Sequence, residues 1–526
     1  MNSIMKKAIA CLLAVLITAS AAAIRTSACT SIYIGGELTD DGSTLFARSE
    51  DLEGSVDKLF LCREAGFFRE GETLSGCFGF DWTFTHDSYA YTAFPDDNGE
   101  GVEGVCPSCG STEENHVSYE EAGTNEKGLI VSATESLYEN PAICEIDPLV
   151  DGGITEAEMP TILLSECETA REAVELLLSI YDTSGAGEAN GLFIADSGEV
   201  WYIENLSGHH YIALLLPDDI VFIEPNQSVI GPIDLDDADH VIASEGLIET
   251  AMKAGTFVGD AEENIIDFRN SYSSIYYSAR MGAGLNYLGE TEVFNEEAPI
   301  DSDYVISNVD EDGALVGLYT NITLTRPFTV DDAVNFYKVD YIGHPGNQET
   351  HIFQLSADEE DPASGIVEWV SMGDGKYTLF VPCYPMLITD TYEGYQISTA
   401  TVEFVSEEPD AGLAYYPYTE EGFRVLPENW RDSYYWAFDA VAELIVNGVV
   451  SEEDAEKAVM AYEELQQEIY VRFAEQQEAI SDMTPEDVSE YVTADSAAMA
   501  QDAHMLALSL YDKLTEDVTD SEETDH

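Results

Sequence analysis

Between Gly128 and Asn226 the chain sets five short apolar runs around a single amphipathic stretch. GLIVSATES, from Gly128 to Ser136, has the character of a buried strand. GLFIAD and EVWYIE flank Ser197-Gly198 and read as a hairpin, and HYIALLLP and DIVFIEP add two more strands before Asn226. Runs this short leave backbone donors and acceptors unpaired unless they join sheets. The stretch from Pro160 to Tyr181 carries Leu163, Cys167, Ala170, Val174, Leu177 and Tyr181 on one stripe, which predicts a helix. After about Pro427 the pattern changes to long helices. Ser451-Glu-Glu-Asp454 and Thr484-Pro-Glu-Asp487 both have capping-box form, and the second has Pro at the first helical position. The fold class is therefore α+β, strand-rich sheets followed by helices. Residues 427–518 make a separate helical module or an outer layer on the same domain, and the acidic TDSEETDH at 519–526 is expected to be a disordered tail.

The first 28 residues have the form of an export signal. Lys6 and Lys7 precede an apolar stretch from Ala8 to Ile24, and small residues close it at Thr26-Ser27-Ala28. That stretch is short for a membrane span, and no other apolar run approaches 18 residues. The mature chain is expected to be secreted, with membrane contact only in transit. Removing the signal takes away three bases and no acid, leaving 103 acids against 17 bases. Such a surface repels phosphate backbones and anionic headgroups, so binding to nucleic acid or a membrane surface is excluded. The 45% hydrophobic content excludes a wholly disordered chain.

Several standard catalytic motifs are missing: there is no H-E-x-x-H, no G-x-S-x-G and no P-loop. Cys106-Pro-Ser-Cys109 lacks a second pair to complete a zinc site, and Asn308-x-Asp310-x-Asp312-Gly313 has Tyr319 where a calcium loop needs an acid. Neither metal nor cofactor is expected. Cys29 differs from the other cysteines because cleavage after Ala28 makes it the first residue. It would then carry a thiol and a free α-amine together. An α-amine with a pKa of about 7.7–8 accepts a thiol proton near neutral pH without a histidine. A lipidated anchor cysteine and an ordinary buried cysteine are the competing readings of this position.

The blocks around Cys29 resemble the start of the dipeptidase A family: Ala28-Cys29-Thr30, Asp41-Gly42-Ser43-Thr44, and Ala47-Arg48-Ser49-Glu50-Asp51. Further similar blocks follow in order, from Asn125-Glu-Lys-Gly128 through Ser207-Gly-His-His210 and Asn226-Gln227 to Glu349-Thr-His351-Ile-Phe-Gln354. Those enzymes are cysteine N-terminal nucleophile hydrolases, related to penicillin V acylases and choloylglycine hydrolases. The resemblance implies a four-layer αββα sandwich over residues 29–426, with the helices of 427–518 as a C-terminal extension. It implies Cys29 as nucleophile, Arg48 beside the thiol and favouring thiolate, and Asp51 holding the amine. Asn226 would serve the oxyanion hole. Arg280 falls near the family's later active-site arginine, in a poorly matching context. Glu135 stands where the acylase relatives have asparagine, and a carboxylate there suits the ammonium of a peptide substrate. Ser49 departs from the family's usual Arg-Asn-Glu-Asp.

The activity so implied is a secreted, metal-independent cysteine dipeptidase acting on a dipeptide or small amide. An amidase of the penicillin V or bile-salt type is the enzyme alternative, and an acidic surface lipoprotein that binds cationic peptides is the non-enzyme one. A homo-oligomer stays open. Most of the acid is surface charge whose self-repulsion salt screens. Added salt should therefore raise the melting temperature of the mature chain, and a flat or falling response would contradict this reading of the charge.

Overall fold

The computed structural model describes residues 29–51, 57–97, 119–134, 136–274, 279–289, 318, 322–356, 362–399, 403–405, 415–419, 422–481 and 483–524. Two six-stranded antiparallel sheets make its centre. The strands that matter below are β1 (Thr30–Ile34), β2 (Thr44–Asp51), β3 (Ala122–Thr124), β4 (Ile130–Thr134), β5 (Gly191–Ala195) and β6 (Val200–Asn205). They continue with β7 (Tyr211–Leu215), β8 (Val221–Glu224), β9 (Val241–Ala243), β10 (Asn347–Leu355), β11 (Ile366–Met372) and β12 (Val381–Cys383). The first sheet runs β8-β1-β2-β10-β11-β12 and the second β9-β7-β6-β5-β4-β3.

Strand alternation gives each sheet an inner and an outer face. Tyr33, Phe46, Phe222 and Phe353 of the first sheet meet Ile130, Phe193, Tyr202 and Ile212 of the second in one buried cluster. Phe193 is the hub, with its ring centroid 5.3 Å from Phe46 and 6.4 Å from Tyr33. Ile32, Leu45, Ala47, Ile352 and Trp369 point the other way, into a second cluster shared with helices. Those helices are α3 (Ala279–Gly289), α4 (Val330–Phe336), α5 (Tyr434–Val446), α6 (Glu452–Ile480) and α7 (Pro485–Thr524). Val131, Ala133, Ile194 and Trp201 form a third cluster with α1 (Met159–Glu166) and α2 (Ala170–Thr183). Helix, sheet, sheet, helix is thus the order of layers, the αββα sandwich.

The C-terminal helices belong to the outer layer. Trp369 of β11 packs its ring 5.1 Å from Phe473 and 5.5 Å from Tyr470. Gln466 exchanges two hydrogen bonds with the backbone of Phe380, at 2.9 and 3.0 Å. Both expected caps form: Ser451 accepts from the Asp454 amide, and the Thr484 hydroxyl donates to Asp487. Helical backbone continues to Thr524, into the stretch expected to be a disordered tail, because extending a helix needs no new nucleus.

The single helix expected over 160–181 is two. Asn125 donates to the carbonyls of Leu164 and Cys167, which closes α1, and Thr169 caps α2 by accepting from the Glu172 amide. The apolar stripe survives the break, since both helices bury it against the same sheet. Short paired segments form at Leu61–Arg63 with Tyr91–Ala93 and at Thr73–Ser75 with Asp81–Thr83. The leader at 1–28 and the Cys106–Cys109 and Asn308–Asp312 motifs lie outside the described residues. Among the described residues no helix is long and apolar enough to cross a membrane.

Candidate active site

Cys29 precedes β1 by one residue and is 4% exposed. Its Sγ lies 3.1 Å from Glu50 Oε2 and 4.0 Å from Arg48 Nη1. Register explains the meeting. β1 pairs with β2 through Thr30↔Ser49 and Ser31↔Arg48, so one step further sets Cys29 opposite Glu50. On the other side, β1 pairs with β8 through Ser31↔Glu224, and the same progression brings Asn226 level with Cys29.

Arg48 has no solvent exposure. Its guanidinium meets Glu50 at 2.9 Å, Glu156 at 3.0 Å, Glu121 at 3.3 Å and Glu349 at 3.6 Å, and it donates to the Ala133 carbonyl of the facing sheet. Lys58, also buried, pairs with Asp96 at 2.6 Å and with Glu121. Two cations therefore share five carboxylates. Oxygens of Glu50, Glu121 and Glu156 all lie within 4.8 Å of one another, a spacing suited to a cation, and the Arg48 guanidinium touches all three. Behind them, His351 Nδ1 lies 3.0 Å from Glu349 and its Nε2 lies 2.8 Å from Ser132 Oγ, a second polar tie between the sheets.

The electrostatics of this pocket oppose spontaneous thiolate. Burial, then Glu50, raises the Cys29 thiol well above its ordinary value, and Arg48 offsets only part of that. Arg48 does pull the thiol toward thiolate, but only in part, because the same arginine carries four carboxylates. Burial and Glu121 push Glu50 up to about 8 against the pull of Arg48 and Lys58.

Asp51 occupies the other face of β2. Burial would raise it, but Arg280, His344 and Asn347 outweigh that and hold it below the usual carboxylate range. Arg280 Nη1 pairs with Asp51 and lies 3.2 Å from Thr30 Oγ1, while its Nη2 lies 2.8 Å from His344 Nε2. Register places Asp51 one step beyond Glu50, the residue opposite Cys29. Arg280 is accordingly joined to Asp51 and not to the thiol.

Asn226 follows β8 in a left-handed turn, with φ 64°. Two buried glutamates hold that turn. Glu224 accepts from the Gln227 amide at 3.1 Å, and Glu204 accepts from the Val229 amide at 2.7 Å and from Ser228 Oγ at 2.6 Å. Glu135 lies outside the described residues. The structure thus gathers Cys29 and Arg48 in one pocket, sets Asn226 level with Cys29 along the sheet, and joins Asp51 to Arg280 on the opposite face. Sequence reasoning assigned no role to Lys58, Glu121, Glu156, His344 or Asn347, nor to Glu50, Glu349 and His351 within their matching blocks. Acids inside otherwise apolar strand patterns, such as Glu204 and Glu224, were the available signal. A carboxylate on a buried strand needs a partner.

Residues 28–407 match the family described as peptidase family C69. A probable dipeptidase B of Streptococcus pyogenes serotype M18 is 32% identical over 403 residues, 70% of this chain and 74% of that protein. A probable dipeptidase of Latilactobacillus sakei is 30% identical over 387 residues, 71% of this chain and 77% of that protein. Among solved structures, a penicillin V acylase from Agrobacterium tumefaciens aligns at 13% identity and a TM-score of 0.30, over 68% of this chain and 87% of that one. The layer order rests on the packing above and not on that alignment.

The buried carboxyls set the pH response of the fold. Burial raises Glu50, Glu224 and Glu368 each to about 8, with Glu121, Glu204 and Glu349 respectively adding to it. An unfolded glutamate titrates at about 4.3. Between those values the folded chain holds protons that the unfolded chain has released, so stability is full below about 4.3 and is lost as pH climbs through 8. Asp51 and Glu121, held low, act in the opposite sense only at more acid pH. At constant ionic strength the melting temperature should fall steadily from pH 5 to 8.5. A rise over that interval would mean these carboxyls are ionised in the fold.

Proposed function

The chain belongs to peptidase family C69, and on that premise we propose that it is a secreted dipeptidase whose nucleophile is the thiol of Cys29 at a newly made N-terminus. The observation that carries this reading is the position of Cys29: at the head of β1, with its thiol against Arg48 and the register of β2 bringing Asp51 one step beyond it. The family match begins at residue 28 and the two relatives cited are named as probable dipeptidases, which supports the same starting point and substrate class.

Residues 1–28 act as the export leader. Their removal frees the Cys29 amine, and Asp51, itself held by Arg280 and His344, keeps that amine beside the thiol. The amine takes the thiol proton, which answers the unfavourable thiol pKa of the buried site. The thiolate adds to the scissile carbonyl, and negative charge develops on its oxygen, where the Asn226 side-chain amide donates. The tetrahedral adduct collapses, the peptide C–N bond breaks, and the ammonium of Cys29 passes its proton to the departing amine. This leaves a thioester between Cys29 and the N-terminal residue of the substrate. Water then attacks the thioester, the amine receives a proton from it, and the thiol is restored as the amino acid leaves. The chain's own residues supply each proton transfer in this scheme.

The mature protein should begin at Cys29 by intact mass, unmodified by acyl groups. Cys29→Ala should abolish dipeptide hydrolysis. Cys29→Ser should lower kcat by at least about a hundredfold with little change in KM, because a hydroxyl gives up its proton far less readily than a thiol. A diacylated Cys29, an unprocessed N-terminus in the active enzyme, or full activity in Cys29→Ala would each defeat the proposal.

A further inference from the structure

This inference rests on the dipeptidase reading above and concerns how the site recognises a free amino terminus. In any peptide the α-nitrogen lies only about 2.5 Å from the carbonyl carbon of its own residue, given the two bond lengths and the angle between them. When the first carbonyl of a dipeptide bonds to Cys29 Sγ, its ammonium must therefore lie in the layer of atoms that touches that sulfur. Glu50 is in that layer, with Oε2 3.1 Å from Sγ. Glu156 and Glu121 follow within 4.8 Å, oxygen to oxygen.

We propose that Glu50, backed by Glu156, receives the α-ammonium of the substrate and so restricts the enzyme to peptides with a free amino terminus. The charge of the pocket favours such a ligand. Around Glu50 stand Arg48 from its own strand, Glu349 from the neighbouring β10, Lys58, Glu121 and Glu156, with Asp96 on the far side of Lys58. That is five carboxylates against two cations, every one buried. An arriving ammonium supplies the missing positive charge, whereas an N-acylated substrate would bring a neutral amide into an acidic, desolvated pocket. Burial and Glu121 raise Glu50 to about 8, and an ammonium placed against its carboxylate favours the charged form. Tyr119 donates to Glu156 at 3.2 Å and leaves its other oxygen to Arg48, so Glu156 is oriented from both sides.

The test uses the mature full-length enzyme, a free dipeptide and its N-acetyl analogue. The wild type should strongly prefer the free dipeptide. Glu50→Gln should lower kcat/KM for the free dipeptide by about 10- to 150-fold, the range for a lost hydrogen bond to a charged group, mainly through KM. The ratio of kcat/KM for the free dipeptide to that for the N-acetyl analogue should fall by a similar factor, and Glu50→Asp should retain most of the preference. Equal losses on both substrates would overturn the assignment, as would a preference that survives Glu50→Gln or is removed by Glu135→Gln alone. A measurement on the wild type avoids dependence on a folded variant. An amino-acid amide should protect the Cys29 thiol from alkylation by iodoacetamide, and its N-acetyl form should not; equal protection by both would also overturn it. A wild type that cleaves no free dipeptide at all would instead remove the dipeptidase reading itself, and this assignment with it.

Discussion

One guanidinium holds the inner pocket together. Arg48 leaves β2 into the space between the sheets and there meets Glu50 from its own strand, Glu349 from β10, Glu121 and the Ala133 carbonyl from the facing sheet, and Glu156 from the segment before α1. A charge with no solvent exposure survives only with such company, because desolvation costs several kcal/mol per ion. The reverse holds too. Four carboxylates would stand in the same apolar sandwich without their shared counterion if the arginine were absent. Even with it the pocket is acid-rich, so burial first and the neighbouring carboxylates second raise Glu50 and Glu156, while Lys58 and Arg48 hold Glu121 low against its burial.

That arrangement bears directly on the thiol. Cys29 sits at the edge of the network, close enough to Arg48 to feel it and closer still to Glu50. The balance favours thiol over thiolate at Cys29. Alternation along β2 sends Arg48 and Glu50 to the inner face and Asp51 to the outer one. Outside, Arg280, His344 and Asn347 surround Asp51. The two groups of residues share a strand but not a pocket.

Much of the framework was readable from the chain. The four apolar runs from Gly128 to Leu215 became neighbouring strands of the second sheet, the fifth joined the first sheet as β8, the hairpin at Ser197-Gly198 formed, and both capping boxes cap helices. These signals are local, set by turn chemistry and alternation. The break between α1 and α2 was not readable, because its cause is Asn125, about 40 residues upstream and reaching across to two helix carbonyls. Nor was the place of the last helices. Whether they stood apart or covered the first sheet depended on Trp369 meeting Phe473 and Tyr470, a contact between segments some 100 residues apart.

The site divides along the same line. Cys29, Arg48, Asp51 and Asn226 could be named from the sequence because each sits in a compact motif with a family resemblance. Glu50 was in plain view within Arg48-Ser49-Glu50-Asp51, yet nothing local distinguished a solvated acid from one pressed against a thiol. Glu121, Glu156, Lys58 and Glu349 come from four separate segments, and their meeting is a consequence of sheet register and of two sheets closing face to face. Sequence alone determined the residue types and the strand rhythm, since both are local properties of the chain. Only the tertiary structure decided which acids lost their water and which cation they share, since burial and electrostatic pairing depend on distances between segments.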